Sequence, residues 1–263
     1  MTQLQTRNLS LSAGNKCLLR NLDVCMHGGE RWIILGANGS GKTTLLHALA
    51  GLRQANSGSI LLNGEEMEHI SHRQRAQTIG ILFQDYESVF PGSVIETVLA
   101  SRYPFSSWAQ LLGDSEDDVR IARAALKELD LEGLASRSMT SLSGGERRRV
   151  QIAALMAQTT PIRLLDEPTN HLDLKHQVHI LDIAKRPNPN ADSSGDKDNL
   201  NIMVLHDINQ ALAYGTHGIL IYANGVTASG CLADIVDKKS LEELYDCPLK
   251  EIQYSGNQYY LPG

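Results

Sequence analysis

Eight residues, Gly36-Ala37-Asn38-Gly39-Ser40-Gly41-Lys42-Thr43, constrain this chain more than any others. They fit the spacing G-x-x-x-x-G-K-[ST], and they sit where that spacing has meaning. The apolar run Trp32-Ile33-Ile34-Leu35 enters them as a buried strand. Thr44 to Ala50, with Leu45, Leu46 and Leu49 apolar, leaves them as a helix that stops at Gly51. Glycines let backbone N–H groups close around phosphate oxygens, and the helix start adds a favourable dipole. In such a loop Lys42 reaches the β- and γ-phosphates, and the Thr43 hydroxyl can ligate Mg²⁺. With strand, loop and helix all present, nucleotide binding is a better reading than a turn that binds nothing.

The rest of the chain narrows the class. A length of 263 residues suits one large domain, or one domain carrying an insert, and a 42% apolar fraction suffices for a core. A net charge of −6 offers no basic field, so nucleic acid is not expected as a partner. Cys17, Cys25, Cys231 and Cys247 form no C-x-x-C, which favours reduced thiols over zinc or disulfides. Met1 to Ser10 is polar and lacks a signal-peptide apolar region. No run approaches the roughly 18 apolar residues of a membrane span. These features predict a soluble, cytoplasmic protein that meets a membrane only through a partner.

In chain order, Leu9 to Leu22 predicts strands around a Gly14-Asn15 turn, and Gly28-Gly29 turns the chain before Trp32. Ile60-Leu61-Leu62 and the Asn63-Gly64 turn complete an antiparallel layer beside the phosphate loop. Ile79 to Phe83 is a further buried strand, ending at Gln84. Then the pattern becomes helical. Val94 to Ala100 is a short helix, and Ser115-x-x-Asp118 is a capping box before Val119, Ala122, Ala125, Leu126 and Leu129. Gly145 to Ala157 is another helix. Strands return at Ile162 to Leu165 and Ile202 to Leu205, each ending at a polar residue, Asp166 or His206. A parallel sheet would present both at its carboxyl edge. Pro187 to Asn199 has the composition of a mobile surface loop. Ile219 to Ala223, Asn224-Gly225 and Val226 onward read as a hairpin.

Leu142-Ser143-Gly144-Gly145-Glu146 decides among the nucleotide-binding families. It opens a helix with small residues and free N–H groups, making a second anion site. One nucleotide hardly needs two such loops from one chain. The pair makes sense if the second loop serves a nucleotide held by another subunit. Here the chain resembles the ATP-binding cassette (ABC) family over nearly its full length. The phosphate loop matches Walker A, Leu142 to Glu146 the signature motif, and Ile162-Arg163-Leu164-Leu165-Asp166-Glu167 Walker B. Gln84 matches the Q-loop, Leu172-Asp173 the D-loop and His206 the switch histidine.

The resemblance implies an α/β fold: a P-loop NTPase (RecA-like) core with an antiparallel β layer and an inserted α-helical subdomain. Residues 1–84 and 161–263 would form the core and residues 85–160 the helical subdomain, within one cassette of 1–263. It also implies ATP and Mg²⁺ as cofactors. Gly36, Ala37, Asn38, Gly39, Ser40, Gly41, Lys42, Thr43 and Thr44 would hold ATP. Thr43, Gln84 and Asp166 would hold Mg²⁺, and Gln84 would also sense the γ-phosphate. Glu167 would be the general base, while His206 would hold the γ-phosphate and water in line beside Lys42. Ser143, Gly144 and Gly145 would close on the partner's ATP, with Asp173 along the seam of a head-to-tail homodimer. His176 and His179, at helical spacing, are read as a solvated face, and Arg147-Arg148-Arg149 as a polar helix face rather than a site for an acidic partner.

Some positions depart from the family. Ala13 stands where many cassettes stack an aromatic residue on adenine, and Ala37 where proline is common. Arg163 interrupts the Walker B strand and must find a partner or the surface. Glu167-Pro168-Thr169-Asn170-His171-Leu172-Asp173 and His206-Asp207-Ile208-Asn209 resemble the subfamily importing iron–siderophore complexes, haem and cobalamin. That resemblance implies the ATPase subunit of a bacterial importer, peripheral on the inner face of the membrane. Its partners would be permease subunits and, indirectly, a substrate-binding protein. A soluble non-transport cassette, such as an iron–sulfur assembly ATPase, is the alternative.

Overall fold

Side chains alternate across the strands with period two, and that alternation builds two cores on opposite faces of one sheet. The structure, a computed structural model, describes residues 2–84, 91–105, 115–186 and 199–263. Strands β1 (Gln3–Ala13) and β2 (Lys16–His27) pair antiparallel around Gly14-Asn15, and β3 (Arg31–Gly36) runs into the phosphate loop and α1 (Lys42–Leu49). Then come β4 (Ser57–Leu62), β5 (Glu65–Glu66), α2 (His72–Thr78) and β6 (Ile79–Leu82). Helices α3 (Val94–Ala100), α4 (Glu116–Glu128) and α5 (Gly144–Ala157) follow. The chain returns through β7 (Ile162–Asp166), α6 (Leu174–Lys185), β8 (Leu200–Val204) and α7 (Ile208–Tyr214). It closes with β9 (His217–Ile221), β10 (Thr227–Cys231), α8 (Leu232–Ile235), α9 (Lys238–Tyr245), β11 (Leu249–Tyr254) and β12 (Asn257–Pro262).

The central sheet has the order β10-β9-β3-β8-β7-β6, parallel except for the edge hairpin β9–β10. A second sheet, β2-β1-β4-β5, is antiparallel, as the turns predicted. Trp32 and Ile34 of β3 join Leu4, Leu22, Leu45 and Leu62 in the core between the two sheets and α1. Ile33 and Leu35 turn the other way, into a core shared with Val98, Leu126, Val150 and Ile180. This is the α/β nucleotide-binding architecture with an antiparallel layer and a helical block. The loop from Pro187 lies outside the described residues as far as 198.

Serine caps start the helices of the block. Ser93 with Glu96 and Ser143 with Glu146 form complete capping boxes. The box expected at Ser115 is only half made. Ser115 accepts the Asp118 N–H, but the Asp118 carboxylate turns to Arg102 Nε at 2.7 Å and the Ser115 hydroxyl at 2.8 Å. A nearly buried ion pair outbids a backbone N–H for that carboxylate.

Arg163 does not reach the surface. Its register partner is Asn201, which donates to the Ala184 carbonyl of α6. The residue is 6% exposed, and its Nε has no hydrogen-bond acceptor among the described residues. Burial pushes its pKa down to about 10.

Candidate functional site

Four of the parallel strands deliver candidate residues to one edge of the sheet: β3 ends at Gly36, β6 before Gln84, β7 at Asp166 and β8 before His206. The first of these turns is shaped by glycine. A Cβ on Gly36 would lie 2.6 Å from Ser40 Oγ and 2.7 Å from the Ile221 carbonyl oxygen. Gly41, at φ +108, is in left-handed territory and serves as the N-cap of α1. It contributes no side-chain cap, and the first turn of α1 carries no acid. The orphan N–H groups of this helix start are therefore left for an external anion.

Buried polar atoms around the loop also lack partners. Among the described residues Ser40 Oγ has no hydrogen bond. Asp166 is fully buried, and among the described residues neither carboxylate oxygen receives a well-aligned hydrogen bond. Burial pushes its carboxyl up, while the nearby Thr43 hydroxyl opposes this without forming a well-aligned hydrogen bond. Lys42, 6% exposed, donates to the carbonyls of Gly36 at 2.8 Å and Ala37 at 3.1 Å. Burial lowers its pKa, and the carboxylates of Glu167 and Asp166 work against that shift. A cation, a hydroxyl and a donor-free carboxylate beside an uncapped helix suit a polyphosphate with a divalent cation.

Glu167 follows directly. Its backbone is left-handed at φ 48, an unusual state for a β-carbon residue. One side-chain oxygen lies 2.5 Å from His206 Nε2, and the other accepts from the Asn170 side-chain amide. Glu167 is almost wholly buried and His206 about half exposed, so the pair connects the interior to a cavity of about 290 Å³. Asn170, His171, Gln177 and Gln210 are among its other lining residues.

The remaining candidates face elsewhere. Gln84 is exposed at the end of β6. Ser143 and Gly144 are exposed, and a Cβ on Gly144 would meet open space. The Ser143 hydroxyl and N–H both bond Glu146, which leaves the Gly144 and Gly145 N–H groups as the orphans of α5. Asp173 caps α6 by accepting from the N–H of His176, whose ring Nδ1 sits at 2.8 Å. Among the described residues no hydrogen bond or ion pair joins Ser143, Gly145 or Asp173 to the Lys42 side of the site. His176 and His179 take different partners: His179 Nε2 meets the Glu128 carbonyl at 2.8 Å.

The arginine run corrects the reading of a polar helix face. Arg149 donates to the Leu129 carbonyl, and Arg148 is buried against four backbone carbonyls. The sequence carried a signal for this. Arg148 stands at helical spacing from the buried Ile152 and Leu155, on the inner face of α5. Asn170 had no such signal, because its role depends on where Glu167 points.

A family model described as ABC transporter matches residues 19–170. The chain belongs to the ABC transporter family. It is similar to the achromobactin transport ATP-binding protein CbrD of Dickeya dadantii, 35% identical over 94% of this chain and 90% of that one. The ferric enterobactin transport ATP-binding protein FepC of Escherichia coli is 32% identical over 100% and 94%. The hemin import ATP-binding protein HmuV of Ruegeria is 34% identical over 94% and 92%. Among solved structures, an inward-facing transporter assigned to the metal-chelate type superposes with a TM-score of 0.81 at 27% identity, covering 100% of this chain and 98% of that one. The cassette is thus an ATP-binding ATPase subunit.

One feature of this cassette bears on base recognition. Ala13 is exposed at the turn, and on that turn Lys16 Nζ donates to the Gly39 carbonyl at 3.1 Å. A methyl group cannot stack a base, and a lysine acts through its charge, which the phosphates and not the base answer. ATP and GTP are expected to bind with affinities within about threefold of each other, since stacking contributes only ~1 kcal/mol where it exists. Competition titration with a fluorescent nucleotide checks this, and a strong preference for ATP would show that another residue reads the base.

Proposed function

We propose that this cassette is the ATP-hydrolysing subunit of a bacterial importer for an iron complex, haem or cobalamin. The observation that carries the hydrolytic part is the donor-free, fully buried Asp166 beside the uncapped α1, one residue before the Glu167–His206 pair. Lys42 and the N–H groups from Gly36 to Thr44 would bind the phosphates. Thr43 and Asp166, with Gln84, would hold Mg²⁺, which when bound supplies positive charge against the β- and γ-phosphates. Glu167 would take the proton of the attacking water, and His206 would orient that carboxylate and the γ-phosphate. Two copies would pair head to tail, so that the open N-terminus of α5 in each completes the other's site.

The importer part rests on the relatives' names and on a groove. A cavity of about 320 Å³ lies between the end of β6 and helices α3 and α5, lined by Phe83, Thr97, Ser101, Arg147, Gln151 and Leu155 among others. Phe83 of its lining directly precedes Gln84, and the groove would receive a loop of a permease. No helix of the described residues is long and apolar enough to cross a membrane, so attachment would run through that permease. Uptake of ferric siderophore, haem and cobalamin in a strain lacking the chromosomal gene tests the reading. Wild-type cassette is expected to restore uptake of one cargo class, and Glu167→Gln to restore none. Intact uptake of all three in the deletion strain, with a loss of iron–sulfur enzyme activity, would favour the assembly ATPase instead.

A further inference from the structure

Arg148 belongs to none of the motifs, yet its guanidinium meets the backbone carbonyls of four residues at the site. Its Nη1 donates to the Phe83 carbonyl at 2.6 Å and lies within 3.5 Å of the Gln84 carbonyl. Its Nη2 donates to the carbonyls of Asp166 at 2.6 Å and Glu167 at 2.7 Å. The residue is 5% exposed. A planar guanidinium with fixed donor directions can hold several carbonyls in one geometry, which an ammonium cannot.

We propose that Arg148 is a positioning residue that fixes the backbone of Glu167 relative to the Gln84 segment and couples both to the signature helix. Three observations converge. Glu167 adopts φ 48, and a left-handed residue with a β-carbon persists only where its surroundings impose it. Charge-assisted hydrogen bonds to the carbonyls on both sides of that residue's N–Cα–C unit supply such an imposition. Arg148 also lies one turn into α5, the helix whose open N-terminus carries Ser143, Gly144 and Gly145. Any displacement of that helix start on meeting the second subunit's ATP is carried through one rigid turn to the guanidinium. It then reaches the carbonyls that aim the Glu167 side chain. This inference rests on ATP hydrolysis by the cassette and is independent of the cargo.

The test uses purified full-length Arg148→Gln and Arg148→Lys, each also in a Glu167→Gln background. Glutamine keeps one donor group without the charge, and lysine keeps the charge without the fork. Both are expected to bind Mg-ATP within about threefold of wild type, because no phosphate ligand is altered, while kcat falls about 10–100-fold through misplacement of the base. Lysine is expected to retain more activity than glutamine. With Glu167→Gln, ATP-dependent dimers should still form, since Ser143 to Gly145 are intact. A wild-type kcat in either folded variant overturns the proposal, as does a loss of ATP affinity equal to the loss of kcat, or a loss of the dimer. If the glutamine variant does not fold, the lysine variant alone decides between these outcomes.

Discussion

Replacing Glu167 with glutamine is expected to reduce ATP hydrolysis by at least about 10²-fold while leaving Mg-ATP binding in place. The side chain is almost completely buried, with one oxygen 2.5 Å from His206 and the other held by Asn170. Glutamine has nearly the same shape and still offers an oxygen and an N–H₂ to these two neighbours, so the fold has little reason to change. What it lacks is a lone pair basic enough to take a proton from water. The phosphate-binding groups, Lys42 and the uncapped start of α1, are untouched. Nucleotide should therefore bind and remain, and the proposed head-to-tail dimer should accumulate in ATP and Mg²⁺. Steady-state hydrolysis with sizing by light scattering checks both halves. Unchanged hydrolysis would remove Glu167 from the role of base, and a monomer in ATP would undo the proposed two-subunit site.

The second large effect has the opposite sign on stability. Asp166→Asn is expected to stabilise the nucleotide-free cassette at neutral pH while abolishing Mg²⁺-dependent protection by ATP. The carboxylate is fully buried and makes no well-aligned hydrogen bond to any described residue, so its ionised form costs free energy, of order 1–3 kcal/mol, that an amide does not. The sign follows from its raised pKa. In the folded state the carboxyl holds its proton to higher pH than in the unfolded chain. Its ionisation therefore destabilises the fold fully above the folded pKa, and the penalty fades as pH drops toward the unfolded carboxylate range. The variant's advantage in Tm should be largest near pH 7–8, at about 2–4 °C per kcal/mol for a chain of this size, and should vanish toward acid. Thermal unfolding of both proteins across pH, with and without Mg-ATP, gives the curve. An advantage that does not change with pH would mean that Asp166 is not the titrating group. Protection of the variant by Mg-ATP equal to that of wild type would mean that Asp166 does not hold the ion.

The two variants separate functions that lie one residue apart. Asp166 ends β7 inside the sheet, whereas Glu167 is turned left-handed toward the Asn170–His206 side. The buried, donor-free carboxylate suits a cation, and the one held by an amide and an imidazole suits water. Adjacent acids are thus sorted by their surroundings.

The sequence by itself determined whatever depends on a few consecutive residues. The phosphate loop was legible because Gly36 and Gly41 are demanded by local geometry, one by a close approach and one by φ +108. The Gly14-Asn15 turn was legible for the same reason. So was the parallel core, because its buried strands are mostly apolar and end at polar residues. The C-terminal hairpin β11–β12 was not foreseen, since nearly all of its residues are exposed and its anchor is long-range: Tyr260 bonds Asn209 through both its N–H and carbonyl. Only the tertiary structure decided the fate of charged side chains. Arg148 and Arg149 read alike in sequence, yet one is buried against the backbone of Phe83, Asp166 and Glu167 and the other only edges the Leu129 carbonyl. Arg163 stays inside, and Asp118 leaves its capping box for Arg102. The physical reason is that backbone conformation is set by neighbours in sequence, whereas the partner of a charge is set by whichever chain segment packing brings within about 3 Å.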